Sequence, residues 1–130
     1  MKQITEMLKK VGVFYIATTD ANGDPHVRPF GAVAEIDGMT CICTSNQKKC
    51  FKEMMRHSRV EISGMCGEME WIRLTADVVE LDSDEVRAAF LEQCPQLRGL
   101  YSVGDGIFEV LELQDPECIK YSFNAPPENI

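Results

Sequence analysis

Histidine is scarce in this 130-residue chain, which has only His26 and His57, and there is a single tryptophan, Trp71. With so few imidazoles, no set with metal-ligand spacing can be assembled. Cys41 and Cys43 stand two apart, without the two-to-four-residue gap usual in a zinc pair. No Ser-His-Asp set and no paired-carboxylate site is present, so hydrolytic chemistry of those kinds has no footing. No apolar run approaches the ~20 residues that span a bilayer. Met1 to Lys10 mixes Glu6 with lysines and has no apolar core, unlike an export signal. The expected location is therefore the cytoplasm. Basic residues also run short after position 59. Residues 60–130 hold four against fifteen acidic ones, whereas residues 1–59 hold nine against six, within a net charge of −8. An acidic half of this size argues against nucleic-acid binding, which needs an extended positive face.

Cysteine is plentiful instead, with six: Cys41, Cys43, Cys50, Cys66, Cys94 and Cys118. Without an export signal they are expected as reduced thiols. Cys41 and Cys43 would face one side of a strand as small apolar residues. The 45% apolar content supports one globular domain over 1–130.

The stretch from Arg28 to Lys49 organises the rest. Asp37-Gly38 lies between two apolar runs, a strong hairpin signal. The second run ends at Thr44-Ser45-Asn46, where a helix over Gln47 to Arg56 is expected, capped by Ser45 or Asn46. Lys48 and Lys49 fall in its first turn. Cations there are opposed by the helix dipole unless an anion is bound. Hydroxyls, free N–H groups and two ammonium groups at one helix start outline an anion site. The alternative is a solvated lysine face. Lys48, Lys49, Lys52, Arg56 and Arg59 lie within twelve residues, opposed only by Glu53. A compact positive spot on an acidic chain suits a small anionic ligand.

Along the chain, Met1 to Lys10 has the spacing of an amphipathic helix stopped by Gly12. Val13 to Thr19, His26 to Ile36 and Met39 to Thr44 read as a three-stranded meander. Arg59 to Cys66 and Glu70 to Leu81 read as further strands. On the latter, Trp71, Arg73, Thr75 and Asp77 share one face, and Ile72, Leu74, Ala76 and Val78 the other. Asp82 with Glu85 predicts a capping box for a helix ended by Pro95. The following loop would be anchored by Leu97, Leu100, Tyr101 and Val103. Ile107 to Leu113 and Ile119 to Phe123 predict a final hairpin around Asp115-Pro116, and Pro126-Pro127 would end regular structure. Six or seven antiparallel strands with two or three peripheral helices fit a mainly β (α+β) barrel better than a sandwich.

The segments P-H-V-R-P-F-G-A-V, I-D-G-M-T-C-I-C-T-S-N-Q-K-K, W-I-R-L-T-A and G-I-F-E-V-L-E-L, in that order, resemble the pyridoxamine 5′-phosphate oxidase-like FMN-binding split-barrel superfamily. The likeness runs from about Val13 to Phe123 and is greatest to small single-domain members, of the nitroimidazole-resistance and general-stress types. It implies a split β-barrel and an FMN site at a homodimer interface. It places Arg28, Pro29, Phe30 and the chain through to Val33 along the isoalloxazine ring. It places Thr44, Ser45, Lys48 and Lys49 around the phosphate, and Trp71 with Arg73 near the flavin from one chain or the other. Each has a plainer reading: Phe30 as core, Arg28 as an ion-pair partner, Trp71 as interface packing. A cation at Arg28 near the N1–C2=O edge would raise the flavin potential. Val33 stands where pyridoxamine-phosphate oxidases carry a substrate lysine, so vitamin B6 oxidation is not expected. The expected function is an FMN-dependent oxidoreductase passing electrons from a reduced nicotinamide, through flavin N5, to a small acceptor such as a nitro compound or quinone. The alternatives are a flavin-binding or stress-response module without turnover, or a barrel using another phosphorylated cofactor such as F420.

Overall fold

Strand periodicity dominates the chain, and the computed structural model, which describes residues 2–130, turns it into one curved antiparallel sheet. The elements in order are α1 (Lys2–Val11), β1 (Phe14–Thr19), β2 (Pro25–Phe30), β3 (Ala34–Ile36), β4 (Met39–Ser45), α2 (Lys49–Arg56), β5 (Arg59–Gly67), β6 (Glu70–Glu80), α3 (Asp84–Gln93), a 3₁₀ turn (Pro95–Gly99), β7 (Phe108–Ser122) and β8 (Glu128–Asn129). The strand order is β2-β1-β5-β6-β7-β4-β3, with β8 added against β7. This is the expected mainly β (α+β) split barrel with peripheral helices.

The meander predicted for the first three strands does not form. The run from His26 to Ile36 breaks at Gly31, Ala32 and Val33. Its first part pairs with β1 and its second with β4, so β2 and β3 are the two ends of the strand order. Pro29 is tolerated because an edge strand can spare an N–H. The connection 31–33 crosses the split of the barrel.

The hairpin predicted around Asp115-Pro116 is instead one strand of 15 residues. Asp115 and Pro116 together stand opposite Ala76, between the pairs Thr75–Glu117 and Asp77–Gln114. Asp115 takes φ +50°. This is a bulge, which absorbs the missing proline donor and bends the strand without ending it. The bend lets β7 pair with β4 through Phe108–Glu112 and with β6 through Leu111–Ser122. A short β8 also follows Pro126-Pro127, pairing with Ile119 and Lys120.

The caps differ as well. Helix α2 starts two residues later than expected, at Lys49, with Lys48 as its N-cap and no side-chain cap. Ser83, not Asp82, caps α3 by accepting from the Val86 N–H at 3.3 Å. Asp82 is drawn instead to Arg87, at 2.7 Å.

Two apolar clusters hold the fold. The barrel interior contains Phe14, Ile16, Ile42, Ile62, Ile72, Leu74 and Leu111, closed by Ile4 and Leu8 of α1 and Cys50 and Met54 of α2. The second lies under α3 and joins Ala34, Cys41, Cys43, Phe90, Cys94, Phe108 and Val110. Strand β4 separates them, sending Ile42 one way and Cys41 and Cys43 the other, as the period-two alternation requires. All six cysteines are buried and free. No helix among the described residues is long and apolar enough to cross a membrane.

Candidate functional site

A cleft of about 320 Å³ opens where the barrel is split. One wall is the end of β2 and the crossing that follows it, Arg28 to Ala32. The floor is Cys43 and Thr44 at the end of β4, and Lys48 and Cys50 rise from the start of α2. The 3₁₀ turn and its exit add Gln96, Leu97, Leu100 and Tyr101 to the lining. The local causes are simple. Gly31 ends β2, β4 stops at a buried Ser45, and Pro95 turns the chain after α3.

Charge in the cleft is one-sided, because its lining contains no carboxylate. Lys48 has no ion pair among the described residues. Arg28 is committed: its guanidinium donates to the Glu53 carboxylate at 3.2 Å, to the Thr18 hydroxyl at 2.7 Å, and to the Ile16 and His26 carbonyls at 3.2 and 3.3 Å. The free cation expected at Arg28 is therefore an ion-pair partner. Glu53 accepts from the Thr18 hydroxyl and from Arg28, and these bonds hold its carboxyl below the usual range. Thr44 is 3% exposed, with its hydroxyl 3.6 Å from the Cys50 sulfur. Burial pushes the Cys43 thiol up to about 12, so it is a neutral wall. Burial also raises Tyr101, helped by Cys43 and Asp105.

At the start of α2 the first main-chain N–H groups are left without helical partners. The Gln47 N–H is used by the Ser45 hydroxyl at 3.1 Å and the Lys48 N–H by the Ser45 carbonyl at 3.1 Å. Helix α2 has no side-chain cap at Lys48, so the N–H groups of its first turn, from Lys49 onward, are left without intrahelical partners. This arrangement can hold an anion.

The structure brings together Arg28, Pro29, Phe30, Thr44 and Lys48. It does not bring the other candidates to the same cleft. Val33 is 7% exposed in the barrel interior, and Ser45 is 8% exposed, folded back on its own turn. Lys49 points to a neighbouring cavity of about 270 Å³ with Asp20, Lys52, Glu53 and Arg56. Successive residues at a helix start diverge by about 100°, so adjacent lysines cannot share one face. Trp71 and Arg73 lie on the outward face of β6. Trp71 stacks on Tyr121, with ring centroids 5.7 Å apart, and Arg73 donates to Glu61 at 3.0 Å. Phe30 does both things weighed for it, stacking on Phe14 at 6.3 Å while lining the cleft.

Residues of the 3₁₀ turn were not legible as site residues. Leu97 and Tyr101 do anchor the loop, packed on the cluster under α3. Leu100 and Val103 do not; they are 72% and 40% exposed. The available signal was P-Q-L-R-G-L-Y itself, three apolar side chains in a loop directly after a proline helix stop.

The family model described as pyridoxamine 5′-phosphate oxidase matches residues 1–114. The chain belongs to this family. Among solved structures it is similar to a NimC/NimA family protein from Clostridium acetobutylicum, 47% identical, covering all of this chain and 90% of that one, with a TM-score of 0.95. It also resembles a pyridoxamine 5′-phosphate oxidase-related FMN-binding protein from Nostoc punctiforme (14% identity, 98% and 87% coverage, TM-score 0.71). A third likeness is to the haem storage protein of Vibrio cholerae (18%, 93% and 92%, TM-score 0.70). At such identities the last two share the fold alone. No curated protein matches the chain.

Proposed function

We propose that this protein is an FMN-binding oxidoreductase that works as a homodimer. The observation that supports the reading is one cleft lined by both a cationic, hydroxyl-bearing helix start and a flat apolar strand end. An unpaired Lys48, the Thr44 hydroxyl and the α2 start line it together with Pro29 and Phe30 of β2 and the following Gly31. A phosphate of charge near −2 suits the helix start, and a large apolar ring the strand end. The residues present therefore fit the group. Arg28 to Phe30, Thr44 and Lys48 would hold it, while Val33, Ser45 and Lys49 would act from behind this first layer.

Bound FMN would supply hydride acceptance and electron transfer at N5, from a reduced nicotinamide to a small nitro or quinone acceptor. The chain's own part is to bind, orient and exclude water. No side chain in the cleft is poised for acid–base work: Arg28 is paired, and Cys43 is held neutral. Vitamin B6 oxidation is not proposed, because Val33 is buried where the resemblance would have a substrate lysine.

The homodimer is supported by the outer face of β1, β5, β6 and β7. Tyr15, Met65, Met69 and Phe123 are 48%, 56%, 50% and 73% exposed there, beside the Trp71–Tyr121 stack. An apolar area of that kind marks an interaction surface. A second copy would also cover a cleft that is small for a whole flavin mononucleotide, and could bring Trp71 and Arg73 to it.

The test is to purify the protein, record its visible spectrum, and weigh the ligand released on denaturation. A mass equal to FMN supports the reading, and a deazaflavin mass replaces it with F420. A colourless protein that does not take up added FMN ends it. Mixing the loaded protein with NADH and a nitro or quinone acceptor then separates turnover from binding alone.

A further inference from the structure

Tyr101 is the one phenol in the cleft, and nothing in the fold requires its hydroxyl. Its main-chain N–H donates to the Leu97 carbonyl at 2.9 Å, and its ring lies on Phe108 with centroids 4.8 Å apart and planes inclined by 29°. Those contacts fix the ring through its faces and its backbone. The hydroxyl itself has no hydrogen bond within the described residues. The nearest carboxylate in sequence, Asp105, is already spent: it accepts from the N–H groups of Ser102, Ile107 and Phe108 at 3.0, 2.8 and 2.9 Å. With Tyr101, the cleft is lined by Cys43, Thr44, Lys48 and Cys50, and by Gln96 and the paired Arg28. Cys43 and Cys50 are buried free thiols, Thr44 is a hydroxyl with only a sulfur contact, and Lys48 has no ion pair among the described residues.

A half-buried phenol kept in place without a partner is an incomplete hydrogen bond. Phenylalanine would fill the same space and stack on Phe108 equally well. What the hydroxyl adds is a donor on the lining of a cavity that has no carboxylate and whose other polar side chains are Lys48, Thr44, Gln96 and the paired Arg28. Such a set takes an anionic oxygen.

We propose that Tyr101 is a ligand-binding residue, its phenolic O–H donating to a phosphate oxygen of the phosphorylated ligand held by Lys48 and Thr44. The proposal rests on the flavin-phosphate reading above and deepens it. It makes the exit of the 3₁₀ turn, where Tyr101 stands, part of the cofactor site.

The experiment compares FMN with riboflavin, which has the same ring and ribityl chain without the phosphate, on wild type and Tyr101→Phe. Affinities come from quenching of flavin fluorescence, and a thermal melt shows that the variant is folded. A hydrogen bond to a charged oxygen is worth roughly tenfold or more in affinity. The expected result is that Tyr101→Phe weakens FMN by that factor and leaves riboflavin unchanged. Equal FMN affinity in both proteins overturns the proposal. An equal loss for FMN and riboflavin also overturns it, because Tyr101 would then act on the ring or the ribityl chain. A wild type that binds neither flavin removes the flavin reading and this inference with it, an outcome distinct from the other two.

Discussion

Arg28 on β2 and Glu53 on α2 hold each other at 3.2 Å, with side chains 23% and 13% exposed. Thr18 completes the group by donating to Glu53 and accepting from Arg28. This trio ties the edge strand that forms one cleft wall to the helix that supplies Lys48. Glu53→Gln should cost about 1–2 kcal/mol in urea unfolding at pH 7, since two bonds to a charged acceptor are weakened. The Glu53 carboxyl is held low in the folded protein, first by the Thr18 hydroxyl and then by Arg28. Its stabilisation is therefore complete above the unfolded carboxylate value of ~4.3 and fades as pH falls through the lower folded value. The gap between wild type and Glu53→Gln should close in acid. A gap that stays constant down to pH 3 would show that the carboxylate charge is not what stabilises the trio.

Lys48 and Lys49 were one basic pair in the sequence and are two separate residues in space. Lys48 lines the cleft, whereas Lys49 faces the cavity with Asp20 and Glu53. Lys48→Ala should weaken FMN binding by roughly tenfold, the effect of one charge-assisted contact. Lys49→Ala should change it by less than about threefold, as expected of a screened exposed charge. Fluorescence titration of both variants decides the matter, and equal losses would sink the asymmetry.

How much of this was legible in the sequence follows the range of the interaction concerned. The alternation of Ile72, Leu74, Ala76 and Val78 against Trp71, Arg73, Thr75 and Asp77 placed each residue on its observed face, because strand period is local. The Asp37-Gly38 turn was legible for the same reason, with both residues at positive φ. The break at Gly31 was not, because what separates β2 from β3 is which distant strand each pairs with. The bulge at Asp115-Pro116 looked like a turn, because its local chemistry is the same and only the partner Ala76 distinguishes them. The fate of Arg28 depended on Glu53, 25 residues away and on a helix. Tyr101 entered the cleft through a tertiary contact with Phe108 that no local pattern announces.

Gly64 on β5 is where α1 and the start of β1 come closest to the sheet. A Cβ there would collide with the Val11 side chain and sit 3.4 Å from the Val13 carbonyl oxygen. Gly64→Ala should therefore destabilise the protein by about 1–3 kcal/mol, the usual cost of overpacking. The midpoint of urea unfolding should fall with the slope unchanged. An unchanged midpoint would mean that α1 yields without cost.

The six thiols are buried, and burial pushes Cys41 and Cys43 up to about 12 and Cys118 to about 11. The thiolate is the reactive form. At pH 8 the native protein should react with a disulfide reagent such as Ellman's over hours, limited by opening of the fold, and in denaturant at once with all six. Rapid labelling of Cys43 or Cys50 in the native state would show that the cleft floor opens far more often than the packing under α3 implies.

Met65 on β5 stands opposite Trp71 on β6, which stands opposite Tyr121 on β7, so three large apolar side chains form one outward row. Met65 itself is 56% exposed and packs on neither core cluster. A charge at this position costs the isolated chain little, because the side chain stays in water. At the centre of an interface the same charge would be buried without a partner, at a cost of several kcal/mol. Met65→Glu should therefore leave the thermal melt of the monomer intact while converting a dimer of twice 14.6 kDa into a single chain. Size-exclusion chromatography with light scattering at micromolar concentration reads this directly. If the variant remains a dimer, the partner docks on another face, and neither Trp71 nor Arg73 reaches the cleft from the second copy by this route.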